Sequence, residues 1–203
     1  NDLMTDRATR EFFGDIWYQT DVRVPRGWAG QRISVHLESA THQGTVYVND
    51  TEVVTHQGGY LPFEADITDL VEAGAEFRLT VRVNNTLTFQ TIPPGVTEDS
   101  LSGPKLRYWH DFFNYAGLHR DVWLTARPTS HLTDVTVVTD IEGSAGVVTY
   151  STTSVGDLDT LVIVRDADGR DVASVTGAEG TFEIADAHLW APGDGYLYDA
   201  EFQ

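Results

Sequence analysis

Apolar and polar side chains alternate at every second residue over much of the chain, which is the period of a β-strand with one buried face. In "DIWYQTDVRV" the apolar positions share one face, namely Ile16, Tyr18, Val22 and Val24. The stretches "QRISVHLES" and "EFRLTVRVNN" repeat this pattern. Further strands are predicted at 44–49, 63–68, 86–92 and 121–126, and no window predicts an amphipathic helix longer than a turn or two.

A second group of short strands is predicted after Pro128, at 132–139, 146–152, 160–165, 172–176, 181–185 and 196–202. The proline cannot donate to a sheet, and residues 129–131 are typical of a connector. Six short strands in this space are typical of an immunoglobulin-type sandwich, which has about seven strands over about 100 residues. The sequence therefore predicts an all-β fold with two sandwich domains, 1–127 and 129–203, the first being a sandwich or a jelly roll.

Composition narrows the possible classes of protein. The 203 residues are 41% hydrophobic, enough for a substantial core, but no apolar run approaches the ~18 residues that span a bilayer. The formal net charge of −18 argues against nucleic acid or an anionic membrane as a partner. Cysteine is absent, which favours a cytoplasmic location. The polar first residues do not resemble a secretory signal, and the missing initiator Met predicts an internal piece of a longer protein.

The usual signatures of metal, cofactor and nucleophile chemistry are missing from the sequence, so no cofactor and no metal are expected. In "RDADGRD" (165–171) the glycine does not stand where a calcium loop needs it, and Asp168-Gly169 is typical of a hairpin turn. No pair of histidines has metal-ligand spacing with a third ligand nearby, so His36, His42, His56 and His188 are interpreted as structural or surface residues.

One stretch, "RYWHDFFNYAGLHR" (107–120), surrounds the carboxylate of Asp111 with aromatic side chains. A buried, unpaired charge is costly, so this aspartate needs a dedicated partner or a ligand. The residues alone leave two interpretations open, a structural plug and a sugar-recognition loop. For a second loop, "HQGGYLPFEADIT" (56–68), packing on its own sandwich is the favoured interpretation.

Four stretches closely resemble the β-glucuronidases among the family 2 glycoside hydrolases: "GDIWYQTDVRVPRGWAGQRISVHLESATHQGTVYVND", "HQGGYLPFEADIT", "VNNTLTFQTIPPG" and "HDFFNYAGLHRDVWL". The ending "HLWAPGDGYLYDAEF" resembles the end of their immunoglobulin-like domain. "GLHRDV" resembles what family 2 enzymes share in general. The preceding "DFFNYA" resembles the glucuronidases rather than the β-galactosidases.

The resemblance implies a three-part enzyme: a jelly-roll (galactose-binding-like) sugar-binding domain over 1–127, an immunoglobulin-like sandwich over 129–203, and a catalytic (β/α)₈ barrel of about 250 residues. The acid/base and nucleophile glutamates would sit on that barrel, at about 5 Å separation in a retaining mechanism, so no catalytic residue is expected in this chain. The first strand of the jelly roll and the last strand of the sandwich are expected to lie outside it.

For the site, the resemblance implies that Asp111 binds hydroxyls of the glucuronic acid ring of a β-glucuronide. Phe112, Phe113, Asn114 and Tyr115 would support its loop, and Tyr108 and Trp109 would either support the loop or lie near the aglycone. The expected partners are the substrate, the barrel and, in the full-length enzyme, further copies of the same chain. The alternatives are another family 2 glycosidase, a free-standing carbohydrate-binding module, or a structural or adhesive role that would leave Asp111 unexplained.

Overall fold

A computed structural model of the protein describes residues 8, 11–101, 103–111 and 114–203. Contacts divide the chain into two compact units, Asn1–Arg127 and Pro128–Gln203. Both units are built from strands, and two short 3-10 helices, Arg26–Trp28 and Thr68–Leu70, lie in the first. No helix of the described residues is long and apolar enough to cross a membrane.

The first unit contains a four-stranded and a three-stranded antiparallel sheet. The four-stranded sheet has the order β1-β6-β3-β4, and the three-stranded sheet has the order β5-β2-β9. A small separate sheet pairs β7 with β8. The strands are β1 (Asp15–Arg23), β2 (Arg32–Leu37), β3 (Gln43–Val48), β4 (Thr51–Gln57), β5 (Phe63–Asp66), β6 (Glu76–Asn84), β7 (Gly95–Glu98), β8 (Lys105–Tyr108) and β9 (Val122–Arg127).

The core of the first unit joins its two larger sheets. Every second side chain of β2, β3, β5 and β6 is buried in one continuous cluster, since alternate residues of a strand point to the same face. Its members include Ile33, Val35 and Leu37 from one sheet, and Val46, Val48, Phe77, Leu79, Val81 and Val83 from the other. Burial of these side chains is the main stabilising term for the unit.

The second unit has its own pair of three-stranded sheets, β10-β11-β14 and β13-β12-β15. The strands are β10 (His131–Glu142), β11 (Ala145–Val155), β12 (Leu161–Arg165), β13 (Asp171–Thr176), β14 (Glu179–Ile184) and β15 (Asp199–Phe202). Tyr150, Val162, Val164 and Ile184 form a small buried cluster that joins the two sheets. The two units therefore have separate cores.

The predicted all-β fold class is confirmed, but several elements differ from the sequence prediction. Residues 86–92 were predicted as a strand, and that prediction is wrong. The Thr88 and Thr91 hydroxyls bond to nearby backbone there, and such local bonds compete with a sheet ladder. Strands β4, β7 and β8 were missed, because the last two are only four residues long and β4 lacks a clear alternation.

The core generates a first prediction. Leu37 is 0% exposed in β2, so Leu37→Ala removes buried methyl groups and leaves a cavity. We expect the free energy of unfolding to fall by about 2–5 kcal/mol, measured by chemical denaturation. Leu70→Ala is the matched control, since Leu70 is 41% exposed and its loss should cost about 1 kcal/mol or less. Equal losses in the two variants would contradict the position of the core.

Candidate functional site

Asp111 lies between β8 and β9, in a connection that we call the Asp111 loop (residues 109–121). Its side chain is exposed, and its carboxylate makes no hydrogen bond or ion pair within the described part of the chain. Phe112 and Phe113, predicted to support it, lie outside the described residues. The structure therefore presents a carboxylate at the surface rather than an acid that caps buried groups.

Asn114, the next described residue of the loop, is bound to a side chain next to the sheet. Its Oδ1 lies 3.2 Å from Nε2 of His42, the residue immediately before β3. An amide oxygen only accepts, so His42 donates this hydrogen bond from Nε2. His42 is only 5% exposed, which gives the loop a partner fixed in the body of the unit.

The backbone of the loop is joined to the same end of the sheet at Gly117. Thr41 and Gly117 exchange two backbone hydrogen bonds, of 3.1 and 3.3 Å. Gly117 has a φ of +79°, and a Cβ on it would lie 2.2 Å from the hydroxyl oxygen of Tyr18. Glycine suits this position, because the positive φ strains other residues and a Cβ would displace the Tyr18 hydroxyl.

Beyond Gly117, the ring of His119 turns back to Thr41. The hydroxyl of Thr41 donates to the carbonyl oxygen of Gly59 at 3.0 Å, and its oxygen lies 2.9 Å from Nδ1 of His119. Since the hydroxyl proton is already used, His119 donates from Nδ1 to Thr41. Ser39 Oγ is also 3.0 Å from Nδ1. One buried hydroxyl thus links the Asp111 loop to the turn that contains Gly59.

Aromatic rings complete this contact. Tyr115, predicted as loop support, stacks on His119 with centroids 5.3 Å apart. Tyr60, from the second loop singled out in the sequence, meets the same imidazole edge-on at 5.7 Å. The backbone oxygen of Tyr60 also accepts a hydrogen bond from Arg120. The favoured interpretation of residues 56–68, a loop packed on its own sandwich, agrees with these contacts.

The other end of the Asp111 loop is held by Trp109. Its backbone N–H donates to the carbonyl oxygen of Pro94 at 3.1 Å. Its ring stacks on that of Phe89, with centroids 5.6 Å apart. The guanidinium of Arg107 lies 5.6 Å from the same ring, at cation–π distance. Phe89 and Trp109 are 73% and 48% exposed. Asp111 therefore lies between two anchored points, Trp109 and Asn114.

The histidines that hold the loop are uncharged near neutral pH. Burial lowers the pKa of His42 below its ordinary value, and the nearby His119 adds to this, against the opposing hydrogen bond to Asn114. Burial also lowers the pKa of His119, and the positive charge of Arg120 acts in the same direction. The two histidines that anchor the loop are thus neutral, while Asp111 supplies a negative charge at its surface.

Sequence reasoning found the loop but not its anchors. It grouped His42 with the ordinary structural histidines and did not single out Thr41 or His119. The "GLHR" that ends the loop could have suggested His119, but nothing near His42 in the sequence points to Asn114. The predicted hairpin at Asp168-Gly169 is confirmed between β12 and β13. Among the described residues, no cluster of His, Asp or Glu could hold a metal ion.

The charge state of the two anchors generates a second prediction. Unfolded histidine titrates near pH 6.5, so below that pH the unfolded chain binds more protons than the folded chain. The stability contributed by neutral His42 and His119 is complete above about pH 6.5 and is lost as the pH falls through their lower folded pKa values. In an NMR titration of the histidine rings, we expect both to have midpoints below about 6.5.

The prediction is contradicted if either histidine ring has a titration midpoint at or above the pKa of an unfolded histidine. Thermal melts at pH 7.5 and 5.5 should show the loss of stability directly. These two pH values lie about one unit on each side of the ordinary histidine pKa. Both are above the range in which carboxylates ordinarily titrate. The carboxylate pKa values that are shifted, those of Glu64, Asp66 and Glu201, are lowered and affect stability only at more acidic pH.

Comparisons with known proteins place this geometry in a family context. Residues 3–128 match the family described as "Glycosyl hydrolases family 2, sugar binding domain". The chain is similar to the β-glucuronidase of Paenibacillus borealis, with 44% identity over 98% of the chain and 34% of that protein. It is 41% identical to the β-glucuronidase of Rattus norvegicus, over 99% of the chain and 34% of that protein.

Solved structures give the same result. A β-glucuronidase of Ruminococcus gnavus in complex with D-glucuronic acid matches with a TM-score of 0.87 and 35% identity, over 99% of this chain and 35% of that one. A complex of the same enzyme with D-glucaro-d-lactam matches with a TM-score of 0.86. The chain therefore spans about a third of the length of the relatives it matches.

Proposed function

We propose a function for this chain from one premise: it belongs to family 2 of the glycosyl hydrolases, and residues 3–128 match the sugar-binding domain of that family. The chain is the non-catalytic N-terminal part of a β-glucuronidase, an enzyme that hydrolyses β-D-glucuronides with retention. It supports the catalytic barrel and supplies the Asp111 loop to the substrate. The two relatives named above support this assignment, because both are β-glucuronidases and both are similar to nearly the whole length of this chain.

The single observation that carries the proposal is the state of Asp111. Its carboxylate is exposed and has no partner among the described residues, while on either side Asn114 is bound to buried His42 and Trp109 is bound to Pro94 and Phe89. A carboxylate only accepts hydrogen bonds, which suits the hydroxyl donors of a sugar ring. Hydrogen bonds to an ionised group are about twice as strong as neutral ones. An anchored, unpaired acceptor of this kind is suited to a ligand rather than to the protein interior.

The chemical step belongs to the barrel that completes the enzyme. A retaining glycosidase places two carboxyl groups about 5 Å apart, one as nucleophile and one as acid/base. The proposal gives neither role to a glutamate of this chain. The partners are the barrel, a β-glucuronide and further copies of the full-length chain. A cytoplasmic location is part of the proposal, on the ground that the sequence contains no cysteine.

The third prediction concerns Asp111 in the complete enzyme. Asp111→Ala removes the acceptor oxygens, and kcat/KM for a β-glucuronide should fall by roughly 10- to 200-fold, equivalent to about 1.5–3 kcal/mol for a charged hydrogen bond. Asp111→Asn should retain part of the activity, because the amide keeps one acceptor. The melting temperature should change little, since the carboxylate has no partner within the described residues. Steady-state kinetics and thermal melts on the same two variants measure both effects.

A structural role for Asp111 predicts the opposite pattern. An aspartate that satisfied buried donors would lose about 1–3 kcal/mol of stability on truncation and leave the kinetics of the folded enzyme near normal. A large fall in melting temperature together with an unchanged kcat/KM would therefore contradict the proposed sugar contact.

The fourth prediction is that the 203-residue chain alone does not hydrolyse a chromogenic β-glucuronide. The reason is that the proposed catalytic pair belongs to the barrel. Addition of the complete enzyme to the same assay is the positive control. Turnover by the pure chain that survives removal of contaminating glycosidases would overturn the assignment of this part as non-catalytic.

A further inference from the structure

A second candidate site lies beside the Asp111 loop. A polar groove of about 650 Å³ is bounded by the start of β3, the end of β6 and two turns, 57–61 and 86–92. We call it the polar groove. Its volume is within the range of pockets that bind small molecules, about 300–1,000 Å³. His42 is on its wall, but Asp111 is not among the residues that line it.

Strand register brings the polar side chains of the groove together. Gln43 in β3 lies directly opposite Gln57 in β4 on one side and opposite Asn84 in β6 on the other. Directly opposite residues of antiparallel strands have their side chains on one face, with Cβ atoms about 4.5–5.5 Å apart. Three amides therefore form a row across the end of the sheet.

Most of these polar groups have no protein partner. Asn84 is occupied, because its amide donates to Asp15 and its Oδ1 accepts from the backbone of Thr86. By contrast, the side chains of Gln43, Gln57 and Gln90 make no hydrogen bond within the described part of the chain. A primary amide offers two donors and one acceptor oxygen. The groove thus presents three free amides from three separate segments.

Tyr60 adds a further hydrogen-bonding group to the groove, and the rim of the groove adds apolar surface. The hydroxyl of Tyr60 also has no hydrogen bond among the described residues, and burial raises the pKa of Tyr60, which keeps the hydroxyl protonated as a donor. Leu61 and Ile92 are exposed at the rim and offer apolar contact. The arrangement combines several neutral donors and acceptors with a few apolar surfaces, as small-molecule sites commonly do.

Charge decides which class of ligand fits. Among the described residues that line the groove, none is Asp, Glu, Lys or Arg. A phosphate or a carboxylate would lack the cationic partner that such anions usually have in proteins. A purely apolar ligand would leave the amides without partners, which is costly. The hydroxyl groups of a neutral sugar both donate and accept, and its C–H faces can pack against the apolar rim.

We propose that the polar groove binds a neutral sugar unit through Gln43, Gln57 and Gln90, at a position separate from Asp111. This inference does not depend on the proposed glycosidase function, because it needs only the first unit of the chain. The groove is open and its hydrogen bonds are uncharged. The expected Kd is therefore weak, on the order of 1–10 mM.

NMR titration of the 203-residue chain tests the proposal. The probes are cellobiose, lactose and xylobiose, each raised to about 50 mM, well above the expected Kd. For at least one of them, we expect saturable shifts of the side-chain amide signals of the groove glutamines. Glucuronic acid is the charged comparison, and it should bind more weakly than the best of the three disaccharides, since no cationic side chain lines the groove.

Variants connect the signal to the groove. Gln43→Ala with Gln57→Ala should weaken binding about 3- to 10-fold for each hydrogen bond lost, and Gln90→Ala on a separate segment gives an independent measurement. Gln31→Ala is the matched control, because Gln31 does not line the groove and its variant should bind as the parent does. Melting temperatures near that of the parent show that each variant is folded.

Three results would overturn the proposal: no saturable shift with any of the three disaccharides, unchanged binding in the groove variants, or equal saturation by glucuronic acid. Loss of binding in Asp111→Ala with full binding in the groove variants would also overturn it, because the sugar would then belong to the Asp111 loop. A negative result in the sugar titration would not affect the kinetic test of Asp111. A negative kinetic result for Asp111 would likewise not affect the proposed sugar site in the groove.

Discussion

The arrangement of the candidate site depends on the need to satisfy Thr41, a polar residue with no exposed surface. Buried polar groups in folded proteins have hydrogen-bond partners, because an unpaired one costs about 1–3 kcal/mol. Thr41 meets this need through two loops. Its backbone pairs with Gly117, and its hydroxyl lies between Gly59 and His119. The turn at 57–61 and the Asp111 loop are therefore fixed to each other as well as to the sheet.

The same network explains where charge is placed at this end of the first unit. A charged anchor next to buried Thr41 and Ser39 would lose hydration, which is costly in so poorly hydrated a place. Neutral imidazoles avoid that loss and still donate through one ring nitrogen each. The anion is instead carried by Asp111, which is exposed at the surface, where water hydrates it. The two histidines that bind next to Thr41 are thus uncharged, and the negative charge of Asp111 stays exposed to water.

The sequence predicts those parts of the structure that depend on interactions between residues close together in the chain. It does not predict contacts between residues that are far apart in the chain. Period-2 alternation is a local pattern, so it predicted the strands β1, β2 and β6 correctly, together with the buried faces of β2 and β6. It was wrong at 86–92, where the composition suits a strand but the hydroxyls of Thr88 and Thr91 bind the local backbone.

The aromatic run around Asp111 is also a local signal, and it marked the loop. Its anchor could not be predicted in this way, because His42 and Asn114 are 72 residues apart and meet only after the sheet has formed. Nor does any single stretch show that Gln43 and Gln57 lie side by side, since strand register alone brings them together. In this chain, local patterns identify the segments that carry the candidate chemistry, and antiparallel pairing decides which of their side chains share a surface.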